Sequence, residues 1–380
     1  MSSSRVTVGK IADALETWAP PGSALSYDNV GLQVGRAEQP VTRALIALDA
    51  TPEVVQEARE KEASLVITHH PLLFKPLESL TPHSYASSVA LSLVRADISL
   101  YSIHTNLDVA KGGVSFALAE MIGLQDISFL SATEDALIKL VTFVPADHAD
   151  TVRDGLASAG AGIIGDYEAC AFASRGTGYF KPGEGTNPFI GESGGEVQSA
   201  SEVRLETEVQ KPLLGDVLRA LNRSHPYEEV AYDIYPVKQS STQTGLGAIG
   251  RLPTPLRLDA FLSKVAETLK ADALRYAGEP ADDISKVAVC GGAGSDLRRK
   301  ARAAGADAYV TSDVKYHEFF DAYDAGGEAK MALVDAGHYE TEAHTEELLR
   351  DRLEELFPDI TWLITEHRTG PMKTFAPDSS

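Results

Sequence analysis

Apolar residues fall in short clusters along this chain, separated by amphipathic stretches. Ile11, Leu15 and Trp18 recur at helical spacing and predict a short helix over 10–18. Asp28-Asn29-Val30-Gly31 reads as a turn into a short strand through Leu32-Gln33-Val34. Residues 44–48 predict a strand, and 52–61 a helix with Thr51 as its cap and Pro52 in its first turn. The run Leu65-Val66-Ile67-Thr68 predicts a buried strand that ends on His69-His70-Pro71. A helix over 84–95 and a strand over 98–103 follow, and the strand leads into His104-Thr105-Asn106-Leu107-Asp108. Strands and helices alternating at this length predict an α/β body with a mostly parallel sheet and helices on both faces.

The rhythm changes near residue 130. Strands over 137–144, 203–209 and 230–237 and helices over 148–159 and 213–223 suggest a ferredoxin-like α+β module. A Gly-, Ser- and Asn-rich region separates its two parts, and 239–250 reads as a return linker. From Arg251 the α/β rhythm resumes, with strands over 287–290, 308–311, 331–334 and 360–364.

The two flanking segments look alike. Residues 43–70 slide onto 286–313 without a gap, and the element order matches. The next strand in each half gives a sharper match. His104-x3-Asp108 pairs with His338-x3-Glu342, each directly after an apolar strand. This spacing puts both side chains on one face of a helical turn or of an extended segment. The expected layout is a pseudo-duplicated three-layer body from residues 1–130 and 251–380, interrupted by an inserted domain over 131–250.

Composition narrows the function. A formal charge of −21 argues against non-specific nucleic-acid or anionic-membrane binding. The two cysteines, Cys170 and Cys290, form no CxxC pair and support neither a disulfide framework nor a zinc ribbon. The amino terminus lacks an apolar export core, and no run is long enough to cross a membrane, so a reduced, cytoplasmic setting is expected.

The chemistry-bearing candidates are His69, His70, Asp108, His338 and Glu342, with His104 close by. Histidine with carboxylate suits Zn²⁺, Mn²⁺ or Fe²⁺, and the lack of thiolates favours an open site. Adjacent strand residues face opposite ways, so His69 and His70 share a site only at a turn or around two centres. The plainer reading is a pair of satisfied histidines at a strand end. Five ligands serve two ions if a carboxylate bridges them, an arrangement that makes a metal-bound hydroxide nucleophile. Asn106 suits either ligand orientation or a turn. Gly291-Gly292-Ala293-Gly294-Ser295 reads as a tight turn, because Leu297 stands where a dinucleotide fingerprint needs its third glycine. Asp313, Lys315 and His317 either line the cleft or start a charged helix.

Asp28-Asn29-Val30-Gly31-Leu32, Leu65 through Pro71, His104 through Asp108, Val289 through Ser295 and Asp335 through Glu342 together resemble the NIF-three-like dinuclear metal centre family, whose members carry the name GTP cyclohydrolase 1 type 2 homologue. The middle segment, with His225-Pro226-Tyr227-Glu228-Glu229, resembles the PII/CutA-like insert of longer members. The resemblance implies two divalent metal ions per subunit on His69, His70, Asp108 and His338, with Glu342 as the bridge. It also implies a homohexameric ring. The function expected is metal-dependent hydrolysis of GTP or another nucleotide-like small molecule, with His104 or Glu342 moving protons. The alternative is a non-catalytic metal-binding or regulatory protein whose insert is a sensor.

Overall fold

The computed structural model describes residues 5–134, 136–239, 241–279 and 283–374; residues 1–4, part of the stretch read for export, lie outside the described residues. The chain divides into two compact units, one of residues 1–131 with 245–380 and the other of 132–244.

The first half of the larger unit supplies strands β1 (Gly31–Val34), β2 (Arg43–Ala47), β3 (Leu65–Thr68), β4 (Ser99–Ser102) and β5 (Gln125–Ala132). The smaller unit holds β6 (Leu137–Pro145), β7 (Ala171–Phe180), β8 (Gln198–Gln210) and β9 (Tyr232–Val237). The second half adds β10 (Gly245–Arg257), β11 (Arg275–Ala277), β12 (Asp283–Val289), β13 (Ala308–Thr311), β14 (Ala332–Asp335) and β15 (Thr361–Ile364).

The larger unit has two sheets. One runs β1-β4-β3-β2-β15, parallel except for β1. The other runs β11-β14-β13-β12-β10-β5 and is parallel from β12 to β14. The segments that align in sequence thus occupy β2–β3 of one sheet and β12–β13 of the other. All four positions of β3 and all four of β13 are buried, which explains why both read as unbroken apolar runs.

Helices cover both faces of the first sheet. Val54, Ala58, Val89 and Leu93 pack on one side with Leu45 and Val66, while Ile11, Leu15, Leu349 and Leu353 pack on the other with Ile46 and Ile67. Each Val, Leu or Ile side chain among these contributes about 1.5–3 kcal/mol on full burial. Leu349 and Leu353 come from the second half of the chain, and so does β15. Conversely, Leu118, Ala119 and Ile122 of the first half join the core of the second sheet with Val287, Val289 and Val334. Each half therefore finishes the other's core.

The smaller unit is built in the order β-α-β-β-α-β, with all-antiparallel strands arranged β7-β8-β6-β9. Helices Ala149–Ser158 and Leu214–Ser224 cover one face through Val152, Leu156, Val217 and Leu221. Two sequence expectations fail nearby. The glycine-rich region, in which the sequence places no strand, contains β7, an edge strand whose exposed residues leave no alternating apolar signal. The stretch read as a return linker contains the start of β10, which is interrupted by glycines rather than ended by them.

Candidate metal centre

The carboxyl ends of β2, β3, β4, β13 and β14 deliver the chemistry-bearing residues, as expected for parallel strands. His69 and His70 follow β3, His104 follows β4, and His338 starts the short helix His338–Glu342 after β14. Gly337, at φ +92°, makes the turn into that helix. His69, His70 and His104 form one cluster, His70, His338 and Glu342 a second, and His69, Asp108 and Glu342 a third; each could hold a metal ion.

Glu342 links these groups. Its Oε1 lies 3.7 Å from His69 Nε2. Its Oε2 lies 3.0 Å from His70 Nε2 and 3.1 Å from His338 Nε2. Gly292 makes this placement feasible, since a Cβ there would stand 2.0 Å from Glu342 Oε1. The glycine turn over 291–294 thus serves close packing against the cluster.

The donor set fits a divalent ion. His69 is fully buried, its Nδ1 donates to the Ile103 carbonyl at 2.8 Å, and its Nε2 has no hydrogen-bond partner. Asp108 Oδ1, 3.5 Å away, is likewise buried and unpartnered. Two orphaned lone-pair atoms facing each other are costly unless something cationic lies between them.

Protonation follows the same geometry. Burial holds the His69 imidazole down at about 4, so it is neutral at pH 7. Burial also lowers His70, but Asp49 and Glu342 outweigh it and lift the ring to about 10. His338 is lowered by burial and lifted by Glu342 and Asp313 to about 9. Burial raises Asp108 well above the carboxylate range, and the charge of Glu342 adds to this. Burial also opposes ionisation of Glu342, yet its three histidine partners hold it well below that range.

Outer carboxylates orient the rings. Asp49 Oδ1 takes His70 Nδ1 at 2.7 Å, Asp313 Oδ2 takes His338 Nδ1 at 2.8 Å, and Asp28 Oδ1 takes His104 Nδ1 at 2.9 Å. Partners of this kind fix the tautomer and leave Nε2 available as a ligand atom. Asp49 is not singled out by the sequence, and Asp28 reads there as turn chemistry with a functional role left open; the signal for Asp49 is its place just after a strand, and for Asp28 its place in the first family-like motif. Asn106 accepts the His104 N–H and donates to the Ala19 carbonyl, so its role is to fix the turn.

The two His-x3-acid motifs diverge. His338 and Glu342 meet through their side chains, but among the described residues no side-chain hydrogen bond or ion pair joins His104 to Asp108; only the Asp108 N–H reaches the His104 carbonyl, at 3.1 Å. His104 caps the short helix Thr105–Asp108 and turns to Asp28, while Asp108 reaches His69. Of the residues after β13, Asp313 reaches the cluster; Lys315 caps the next helical segment and His317 rests on Tyr316. At the rim, Tyr27 and Phe74 meet edge to face at 6.2 Å, and Phe74 lies 6.4 Å from the His104 ring.

Residues 6–371 match the family described as Duf34/NIF3 (NGG1p interacting factor 3). A Halalkalibacterium halodurans protein named GTP cyclohydrolase 1 type 2 homolog is 40% identical over 350 residues, 92% of each chain. The Bacillus subtilis protein of the same name is 41% identical over 331 residues, 87% of each chain. The crystal structure of a Bacillus cereus protein related to NIF3 superposes with a TM-score of 0.81 at 37% identity, covering 98% of this chain and 100% of that one. On the extent of these matches, this chain belongs to the Duf34/NIF3 family.

Proposed function

We propose that this protein is a two-metal hydrolase acting on a nucleotide-like ring, in line with the GTP cyclohydrolase name its relatives carry. The observation that carries this reading is Glu342, whose two oxygens face different ligand sets. His69 and Asp108 would hold one ion, His70 and His338 the other, with Glu342 shared. Bound there, two divalent ions supply an activated water at neutral pH and stabilise developing negative charge.

The chain's own residues supply the remainder. Hydrogen bonds from His104 and Thr105 outweigh burial and hold Asp28 well below the carboxylate range. Ionised Asp28 then accepts Nδ1–H of His104, which leaves Nε2 free to take up and return a proton. Glu342, kept ionised by three histidines, serves as an acceptor and not as a proton donor. Phe74 and Tyr27 offer an apolar rim beside His104 against which a planar substrate can pack. We further read the larger unit as a pseudo-duplicated body, the smaller as a ferredoxin-like insert of PII/CutA type, and the working assembly as a cytoplasmic homohexamer.

The test is the metal content of purified protein beside a His69→Ala, His338→Ala double variant, with GTP hydrolysis assayed for each metal. Near two ions per chain, lost in the variant, and metal-dependent turnover support the reading. Failure to take up Zn²⁺, Mn²⁺ or Fe²⁺ overturns the metal centre. Full loading without turnover on any nucleotide leaves a regulatory metal-binding protein.

A further inference from the structure

The smaller unit forms a half-open pocket of about 620 Å³ that the metal chemistry does not use. This volume lies within the range of small-molecule sites. Aromatic side chains contribute to its walls, with Phe143, Phe180, Phe189 and Tyr227 among them. Phe180 and Phe189 lie 6.1 and 6.0 Å from the Tyr227 ring at tilted angles, so the three rings line space and do not stack on one another.

The wall formed by the sheet is open because of two glycines. Gly176 pairs with Glu202 across β7 and β8, and directly opposed residues share a face. A Cβ on Gly176 would meet nothing within 4 Å, whereas one on Gly178 would stand 2.0 Å from Glu202 Oε2. Larger residues at these positions would fill the cavity or displace its carboxylate.

Glu202 is the chemical focus. It is only 8% exposed, and its Oε1 accepts from the Tyr227 hydroxyl at 2.8 Å. Among the described residues it has no Lys or Arg partner; nearby Arg204 is paired instead with Glu206 at 2.9 Å. A buried carboxylate with a single hydroxyl donor has acceptor capacity left over, which N–H donors satisfy well. The loop carrying Tyr227 is pinned by His225, which spans the Phe143 carbonyl at 3.0 Å and the Tyr227 N–H at 3.1 Å. The site is therefore held in place by the fold before any ligand arrives.

We propose that this cavity binds a planar nitrogen heterocycle of nucleoside size, stacked among Phe180, Phe189 and Tyr227, with its N–H edge on Glu202. Aromatic faces stack on any base, and a carboxylate selects an edge that carries donors.

The test is calorimetric titration of the full-length chain with guanosine, cytidine and adenosine. At least one should bind saturably. Gly176→Leu, which projects into open space at an ordinary backbone conformation, should abolish binding while circular dichroism stays unchanged. Glu202→Gln keeps an acceptor for Tyr227 but removes the charge, and should weaken binding about tenfold. His338→Ala, which disables the metal centre, should leave binding as it was. The proposal is overturned if none of the nucleosides binds at about 1 mM, the weak end of the affinity scale. It is also overturned if binding survives Gly176→Leu or disappears with His338→Ala.

Discussion

Glu342 and His70 stand 272 residues apart in the chain, yet Oε2 of one lies 3.0 Å from Nε2 of the other. One carboxylate ties a ligand of the first sheet to a helix of the second. Glu342→Gln keeps the shape and removes the charge. Bound metal should fall from about two ions per chain to one or none, a two-ion site being the arrangement that most needs a shared carboxylate. Elemental analysis of the purified variant checks this, and unchanged content would rule out a bridging role.

The outer carboxylates make a different prediction. Asp49→Asn and Asp313→Asn leave every proposed ligand in place but loosen the His70 and His338 rings. Metal affinity should drop about 10–100-fold in each, the usual cost of losing such a partner. Competition against a chelator measures it. The double variant should be weaker than either single one.

Gly292 tests the packing that positions Glu342. It sits at φ +60°, and a methyl group would overlap Glu342 Oε1 and approach His338 Nε2 at 3.4 Å. Gly292→Ala should cost about 1–3 kcal/mol of stability through backbone strain and displacement of the carboxylate. Thermal melts with and without added metal should also show that metal no longer stabilises the variant.

Glu346, which is outside the proposed ligand set, gives a pH dependence of its own, read on metal-free protein. It is buried and accepts the Leu48 N–H at 2.8 Å. Burial, reinforced by Asp49, outweighs that bond and raises its carboxyl to about 7 from 4.5. A raised acid binds protons more tightly folded than unfolded, so its contribution to stability is greatest near pH 4 and is lost as pH rises to 7. Glu346→Gln removes that dependence while leaving an acceptor for Leu48. The variant should match the parent near pH 4 and exceed it by about 1–3 kcal/mol above pH 7. Denaturant melts at both pH values check the sign.

Local signals were enough to read the centre of each sheet. Four-residue apolar runs at Leu65–Thr68 and Ala308–Thr311 became fully buried parallel strands, and His69, His70, His338 and Glu342 were legible because they follow such runs. What escaped depended on contacts between distant segments. Asp49 looks like any polar residue after a strand until β2 is set beside β3. Asp28 looks like a turn former until His104 reaches it. β7 was hidden because an exposed edge strand has no buried face to impose alternation. The 104–108 motif brings both residues beside His69 without joining their side chains, because i,i+4 spacing allows a pair to meet without requiring it. His104 found a closer acceptor in Asp28.

The exchange of helices between the sheets has a consequence for assembly from pieces. Leu349 and Leu353 close the first sheet, and Leu118 and Ile122 close the second, so neither terminal segment owns a finished interior. Expressed separately, each would expose a broad apolar surface and precipitate. Co-expressed as two polypeptides severed within the exposed loop at 183–195, they should find each other and reconstitute a folded particle, because the interlock does not require chain continuity there.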